Sequence, residues 1–161
     1  MKSFKSILLA LLVGTLFSCS NPDFAYNESA SAVFLSEMKS IDELQQSFSD
    51  SGRIFHLASG DQVALKAKAE SIENTAQQDI QYLNGLKPSV AAKEFHQAVN
   101  SYFSKIEHYG KTAQALLSAD LNKRKTIYLE LMNEYEVLNR MPDRTLEIQK
   151  EYLDKVGLDA K

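Results

Sequence analysis

The chain has 161 residues, of which 44% are hydrophobic and 24% charged, and carries a formal charge of −3. That composition leaves room for one compact core and argues against both a disordered chain and a multi-span membrane protein. Six Gly, three Pro and no Trp, with long stretches rich in Ala, Leu, Lys, Glu and Gln, favour helix.

Lys2 and Lys5 precede an apolar run from Ile7 to Phe17 of about eleven residues, and small Ser18 precedes Cys19. This is the pattern of a cleavable export signal, because a bilayer span takes about 20 apolar residues. Leu16-Phe17-Ser18-Cys19 resembles the bacterial lipobox, with Phe17 bulkier than the usual middle residue. The resemblance implies cleavage between Ser18 and Cys19, diacylglycerol on the Cys19 sulfur and acylation of the new amino terminus. In such an anchor each buried methylene contributes about 0.8 kcal/mol. An ordinary secretory signal with an incidental cysteine is the alternative.

Cys19 is the only cysteine, so disulfide, metal-thiolate and thiol-nucleophile chemistry are excluded from the domain that follows. Ser20-Asn21-Pro22-Asp23 reads as a polar tether. Ser20 beside the cysteine, with no Asp there, resembles the outer-membrane sorting pattern of enteric bacteria. The expected divisions are a signal at 1–18, a lipidated cysteine and tether at 19–26, and a helical bundle domain at 27–158. Loss of Lys2 and Lys5 with the signal takes the charge from −3 to −5. An acidic surface argues against nucleic acid as a partner, and the one basic cluster, Lys123-Arg124-Lys125, reads as a solvated helix face.

Four segments carry helical periodicity. The first, over 27–48, places Phe34, Met38, Ile41, Leu44 and Phe48 on one stripe. The stretch 53–60 is either a short helical piece or the front of the second helix. The second helix covers about 61–83, with Leu65, Ala69, Ile72, Ala76, Ile80 and Leu83 on its stripe, and Gly85 is expected to stop it in a left-handed cap. Asp79 stands at a seam position, where it either accepts a tyrosine hydroxyl or is left wet as the stripe drifts to Ile80.

Pro88 is expected to open the third helix, whose stripe is Phe95, Val99, Tyr102, Ile106, Tyr109, Ala113 and Leu116. Asp120 is the expected N-cap of the fourth, which carries Leu121, Tyr128, Leu131, Tyr135 and Leu138 before Pro142. That proline kinks the helix or starts a fifth short one. Leu146, Leu153 and Val156 continue the apolar face, and Gly157 marks its frayed end.

Folding helices three and four about the turn at Ser118-Ala119 sets Leu116 beside Leu121, Tyr109 beside Tyr128, Ile106 beside Leu131, Tyr102 beside Tyr135 and Val99 beside Leu138. The same exercise for helices two and three sets Ile80 beside Phe95, Ala76 beside Val99, Ile72 beside Phe103 and Ala69 beside Ile106, small against large. Short connections between long helices imply antiparallel neighbours. The expected fold is therefore all-α, an up-down-up-down antiparallel four-helix bundle with its last helix kinked or split at Pro142.

Marks of catalysis are few. C-x-x-C-H, H-E-x-x-H, a glycine-rich phosphate loop and a G-x-S-x-G elbow are all missing from the sequence. A di-iron bundle needs Glu-x-x-His, and no histidine here has Glu three residues before it. His56 falls in or beside the loop after helix one, His96 flanks the stripe of helix three, and His108 points away from it. On one helix His96 and His108 stand about 18 Å apart, too far for one metal. Glu107 and His108 diverge by about 100° as helix neighbours, which disfavours acid–base work between them. No metal, cofactor or catalytic residue is expected. The arrangement with functional content is the tyrosine set: Tyr102 and Tyr109 facing Tyr128 and Tyr135 would line an amphipathic groove, each ring burying while its hydroxyl seeks a partner. A rim of half-buried core tyrosines is the plainer reading.

The lipobox, Tyr26-Asn27 opening the first helix, the Ala-rich second helix ending in Leu-Asn-Gly-Leu-Lys-Pro, and the aromatic third helix with Phe95, Tyr102 and Phe103 together resemble small helical surface lipoproteins of Gram-negative and spirochaete bacteria. The resemblance implies no catalytic residue. The expectation is a non-enzymatic envelope lipoprotein, held on a membrane through its lipid anchor, in the outer membrane rather than the inner, and binding an unidentified envelope protein or component. The alternative is a ligand carrier or stress chaperone that uses the tyrosine-lined groove, although the L-T-x-x-Q of helical periplasmic chaperones is missing.

Overall fold

A computed structural model describes residues 22–158. The expected export signal over 1–18, Cys19 and residues 20–21 of the expected tether lie outside the described residues. Pro22–Phe48 forms α1, Ser51–Phe55 the short α2, Ser59–Gly85 α3, Lys93–Ser118 α4 and Leu121–Lys155 α5. No strand occurs among the described residues, and no helix among them is long and apolar enough to cross a membrane.

The four long helices form the up-down-up-down bundle. Side-chain bonds fix the direction of each neighbour: the hydroxyls of Tyr152, Tyr135 and Tyr128 on α5 donate in turn to Asp23, Asp42 and the Phe48 carbonyl, running the opposite way along α1. α3 and α4 are also antiparallel, with Gln62 bonded to the Leu117 carbonyl at one end and Asn100 to Asn84 at the other.

Heptad patterning selects the core. In α1 the buried series is Ala30, Phe34, Glu37, Ile41, Leu44 and Phe48, a strict alternation of four and three. In α3 it is Ala69, Ile72, Ala76 and Leu83, with Asp79 at the vacant seam step. In α4 it is Phe95, Val99, Tyr102, Ile106, Tyr109, Ala113 and Leu116, the stripe read from sequence. Small residues bring α3 and α4 together: Gly110 lies directly on the backbone of Ala69 and Glu73. The backbones of α1 and α5 stay farther apart, and long aromatic and amide side chains span that gap.

Several expectations are corrected. Pro22 to Tyr26, expected to belong to a tether, are part of α1, because Pro suits a first turn and Tyr26 buries against Phe95 and Tyr152. The stretch 53–60 is divided between α2, a turn and the start of α3. Pro88 does not open the third helix: Leu86 to Ser89 is an irregular connection, and α4 begins at Lys93 after a turn. Gly85 is the last residue of α3 and has no left-handed backbone; among the described glycines only Gly157 does, at φ 70°. Pro142 does not start a fifth helix, since α5 runs through it. Beyond it Leu146, Leu153 and Val156 continue the apolar face, half-buried against the core, while the fully buried positions are Thr145 and Tyr152, which continue the seven-residue step of Leu131 and Leu138. Thr145 tolerates burial because its hydroxyl donates to the Met141 carbonyl.

Register is displaced at both seams, by about one heptad between α4 and α5 and by at least one turn between α3 and α4. Tyr109 meets Tyr135 (ring centroids 6.4 Å) rather than Tyr128, and Phe95 stacks on Tyr152 at 5.9 Å. The cause is the first turn of α5. Leu121 is 69% exposed, and apart from Arg124 every residue from Leu121 to Thr126 is exposed, so α5 joins the core only from Ile127 onward. At the other seam the long connection before Lys93 has the same effect, and Gly110 rather than Ile106 faces Ala69.

Candidate functional site

A recess of about 340 Å³ opens where α1 and α5 stand apart. Met38 and Ile41 of α1, Tyr102 of α4, and Leu138 and Pro142 of α5 supply its apolar surface, while Asp42, Tyr135, Asn139 and Asp143 supply polar groups. Pro142 has no N–H to donate to the Leu138 carbonyl, so a backbone acceptor is also released from the helix ladder beside this groove. No lysine or arginine lines it.

The four tyrosines divide unevenly. Tyr102 and Tyr135 line the groove. Tyr109 is fully buried beneath it, its hydroxyl donating to Gln45 Oε1 at 2.6 Å. Tyr128 lies nearer the α1 C-terminus, its hydroxyl donating to the Phe48 carbonyl at 3.1 Å. Burial, reinforced by the carboxylates of Asp42 and Glu37, pushes the Tyr102 phenol well above the ordinary range, and burial followed by Asp42 raises that of Tyr135. Both phenols are thus held as neutral O–H groups, and Tyr135 donates to Asp42 Oδ1 at 3.3 Å.

Next to this groove lies a pair that the hydrophobic stripe hid. Glu37 is 1% exposed at a seam position, where an apolar residue was expected and Met38 was assigned. It hydrogen-bonds Asp79, which is half-buried rather than wet. Burial first, then the Asp79 charge, pushes the Glu37 carboxyl up to about 7, and burial raises Asp79 as well. Two buried like charges this close disfavour joint ionisation, which favours the protonated form of Glu37. Oε2 of Glu37 has no hydrogen-bond partner among the described residues.

A second cluster lies between α4 and α5. His108 Nε2 is 3.0 Å from Glu134 Oε1, which also accepts from the Thr112 hydroxyl at 3.1 Å. Glu130, one turn earlier on α5, completes a set whose donor atoms all lie within 4.8 Å of one another. Burial raises the Glu134 carboxyl, opposed by His108 and by the Thr112 bond, with exposed Lys105 acting more weakly. His108 does point away from the apolar stripe, as read from sequence, but towards a carboxylate on the next helix.

The other histidines take structural places. His96 sits between the Tyr26 hydroxyl and the Asn100 amide, each 3.0 Å from a ring nitrogen, and burial lowers its pKa and keeps it neutral. His56 is exposed in the turn after α2. The chain matches no family model, no curated protein and no solved structure.

Proposed function

We propose that this protein is a non-enzymatic, lipid-anchored envelope protein that binds a small organic cation in the α1–α5 groove. The observation that carries the ligand class is the groove wall itself: two phenols, two carboxylates and an apolar floor, with no basic residue. Carboxylates attract an ammonium or guanidinium group, and the Tyr102 and Tyr135 rings add cation–π attraction of about 0.5–2 kcal/mol. The apolar floor suits the body of such a ligand, and about 340 Å³ lies near the lower end of small-molecule sites. The anchor rests on the lipobox at Leu16 to Cys19, and the outer membrane is proposed from Ser20. The carrier reading is favoured over a purely structural role because the recess reaches the buried face of Tyr102.

The test uses one molecular body with three charges: 2-phenylethylamine, 2-phenylethanol and 3-phenylpropanoate, titrated calorimetrically into the purified protein. The amine is expected to bind best, with Asp42→Asn and Tyr135→Phe each weakening it by about tenfold. Equal or tighter binding of the carboxylate overturns the reading. For the anchor, Cys19→Ser should move the protein out of the membrane fraction; unchanged fractionation removes the lipid from the account.

A further inference from the structure

His108 stands on α4, and Glu130 and Glu134 stand one turn apart on α5, so that the antiparallel seam brings one imidazole against two carboxylates. We propose that these three residues form a binding site for a divalent transition-metal ion of the zinc type, a function separate from the groove.

Ligand chemistry supports that class. One imidazole nitrogen with two carboxylate oxygens suits zinc and its neighbours better than calcium or magnesium, which favour all-oxygen shells. Three protein ligands leave a fourth position to water, the pattern of an accessible rather than a closed zinc site. Geometry is close to what binding requires. In a tetrahedral site with ligand bonds near 2.0–2.1 Å, donor atoms stand about 3.3 Å apart; His108 Nε2 and Glu134 Oε1 are already 3.0 Å apart. The remaining adjustment, from separations of up to 4.8 Å, falls to Glu130, an exposed side chain on a rigid helix.

A second observation concerns the Glu134 carboxylate itself. Glu134 is mostly enclosed, and its Oε2 atom has no hydrogen-bond partner among the described residues. A metal ion held by this carboxylate would give that oxygen a partner if Glu134 ligates through both oxygens, which takes the site to five-coordinate with its water. The Thr112 hydroxyl, already donating to Oε1 at 3.1 Å, would orient the carboxylate from outside the metal shell, as outer partners of metal ligands do.

Equilibrium dialysis of Zn²⁺ against the purified, untagged full chain tests the proposal. One saturable site per chain is expected. His108→Ala and Glu130→Gln should each weaken it by at least about tenfold, and His56→Ala should leave it unchanged. His108 and Glu130 are both solvent-exposed, so these variants keep the fold, which circular dichroism checks. Saturable binding lost in His108→Ala supports the site. Absence of binding in the parent, or binding that His108→Ala leaves intact, overturns it and reduces the cluster to an ion pair.

Discussion

Gly110 offers a test in which two well-measured effects oppose one another. In an open helix interior, Gly→Ala stabilises by about 0.8–1.0 kcal/mol. At position 110 a Cβ would lie 3.0 Å from Glu73 Cβ and 3.1 Å from both the Ala69 carbonyl oxygen and the Glu73 backbone nitrogen. None of these atoms can rotate away, so α3 itself must retreat, and forcing an extra methyl into a packed contact costs about 1–3 kcal/mol. The packing term exceeds the propensity term, and the expected net loss is about 1 kcal/mol, or about 4 °C in Tm for a domain of this size. Gly110→Val adds bulk and gives up part of the propensity gain, so its loss should reach about 3 kcal/mol. Gly60, in the first turn of α3, has nothing within 4 Å of a Cβ, and Gly60→Ala should stabilise by about 0.5 kcal/mol. Urea denaturation followed by far-ultraviolet circular dichroism measures all three. If Gly110→Ala stabilises as much as Gly60→Ala, the close α3–α4 approach is wrong.

Three further outcomes are expected. Tyr109→Phe removes the buried donor to Gln45 while keeping the ring, and should lower stability by about 1–2 kcal/mol; an unchanged urea midpoint would show that the bond contributes nothing. Glu37 titrates near 4.5 when unfolded and near 7 when folded, so the native state binds more protons between those values. Stability should therefore fall as pH rises from about 4.5 to about 7 and level off above. Glu37→Gln should flatten that slope and, at pH 8, exceed the parent by on the order of 1–2 kcal/mol; a variant with the parent's pH profile would refute the assignment. Asp120→Ala removes the side-chain acceptor for the Lys123 N–H and should destabilise by about 1 kcal/mol, read as a lower thermal midpoint.

The core stripe of α4 was legible because its apolar residues keep an unbroken four-three step, and Asp120 was legible because a cap is a local feature. What escaped was set by longer-range geometry or by a polar residue in an apolar place. Glu37 and Asp79 occupy seam positions, yet each is tolerated only through the other, a compensation that no single-helix pattern reveals. Thr145 and Tyr152 were passed over for neighbouring leucines for the same reason. The His108–Glu130–Glu134 cluster was hidden by register: with Tyr109 opposite Tyr128, His108 faces Leu129, whereas the observed displacement brings it to Glu134. Glu130 and Glu134 at four-residue spacing were the available signal, since both lie on one helix face.

Glu134 and Tyr135 are consecutive in α5, yet they face different helices because neighbours on a helix diverge by about 100°. Glu134 turns to His108 and Thr112 on α4, while Tyr135 turns to Asp42 on α1 and to the groove. The two seams are built differently. Gly110 and the buried alanines let α4 and α3 approach closely, whereas α1 and α5 are tied by tyrosine hydroxyls and by Gln149, which donates to Asn27 and Ser31 at 2.7 Å. Such bonds each contribute about 0.5–1.5 kcal/mol net, less than burial of a large apolar side chain at about 1.5–3 kcal/mol. The groove lies at the seam where the backbones stand apart and side chains span the gap, which is where a small ligand can enter without displacing a close helix–helix backbone contact.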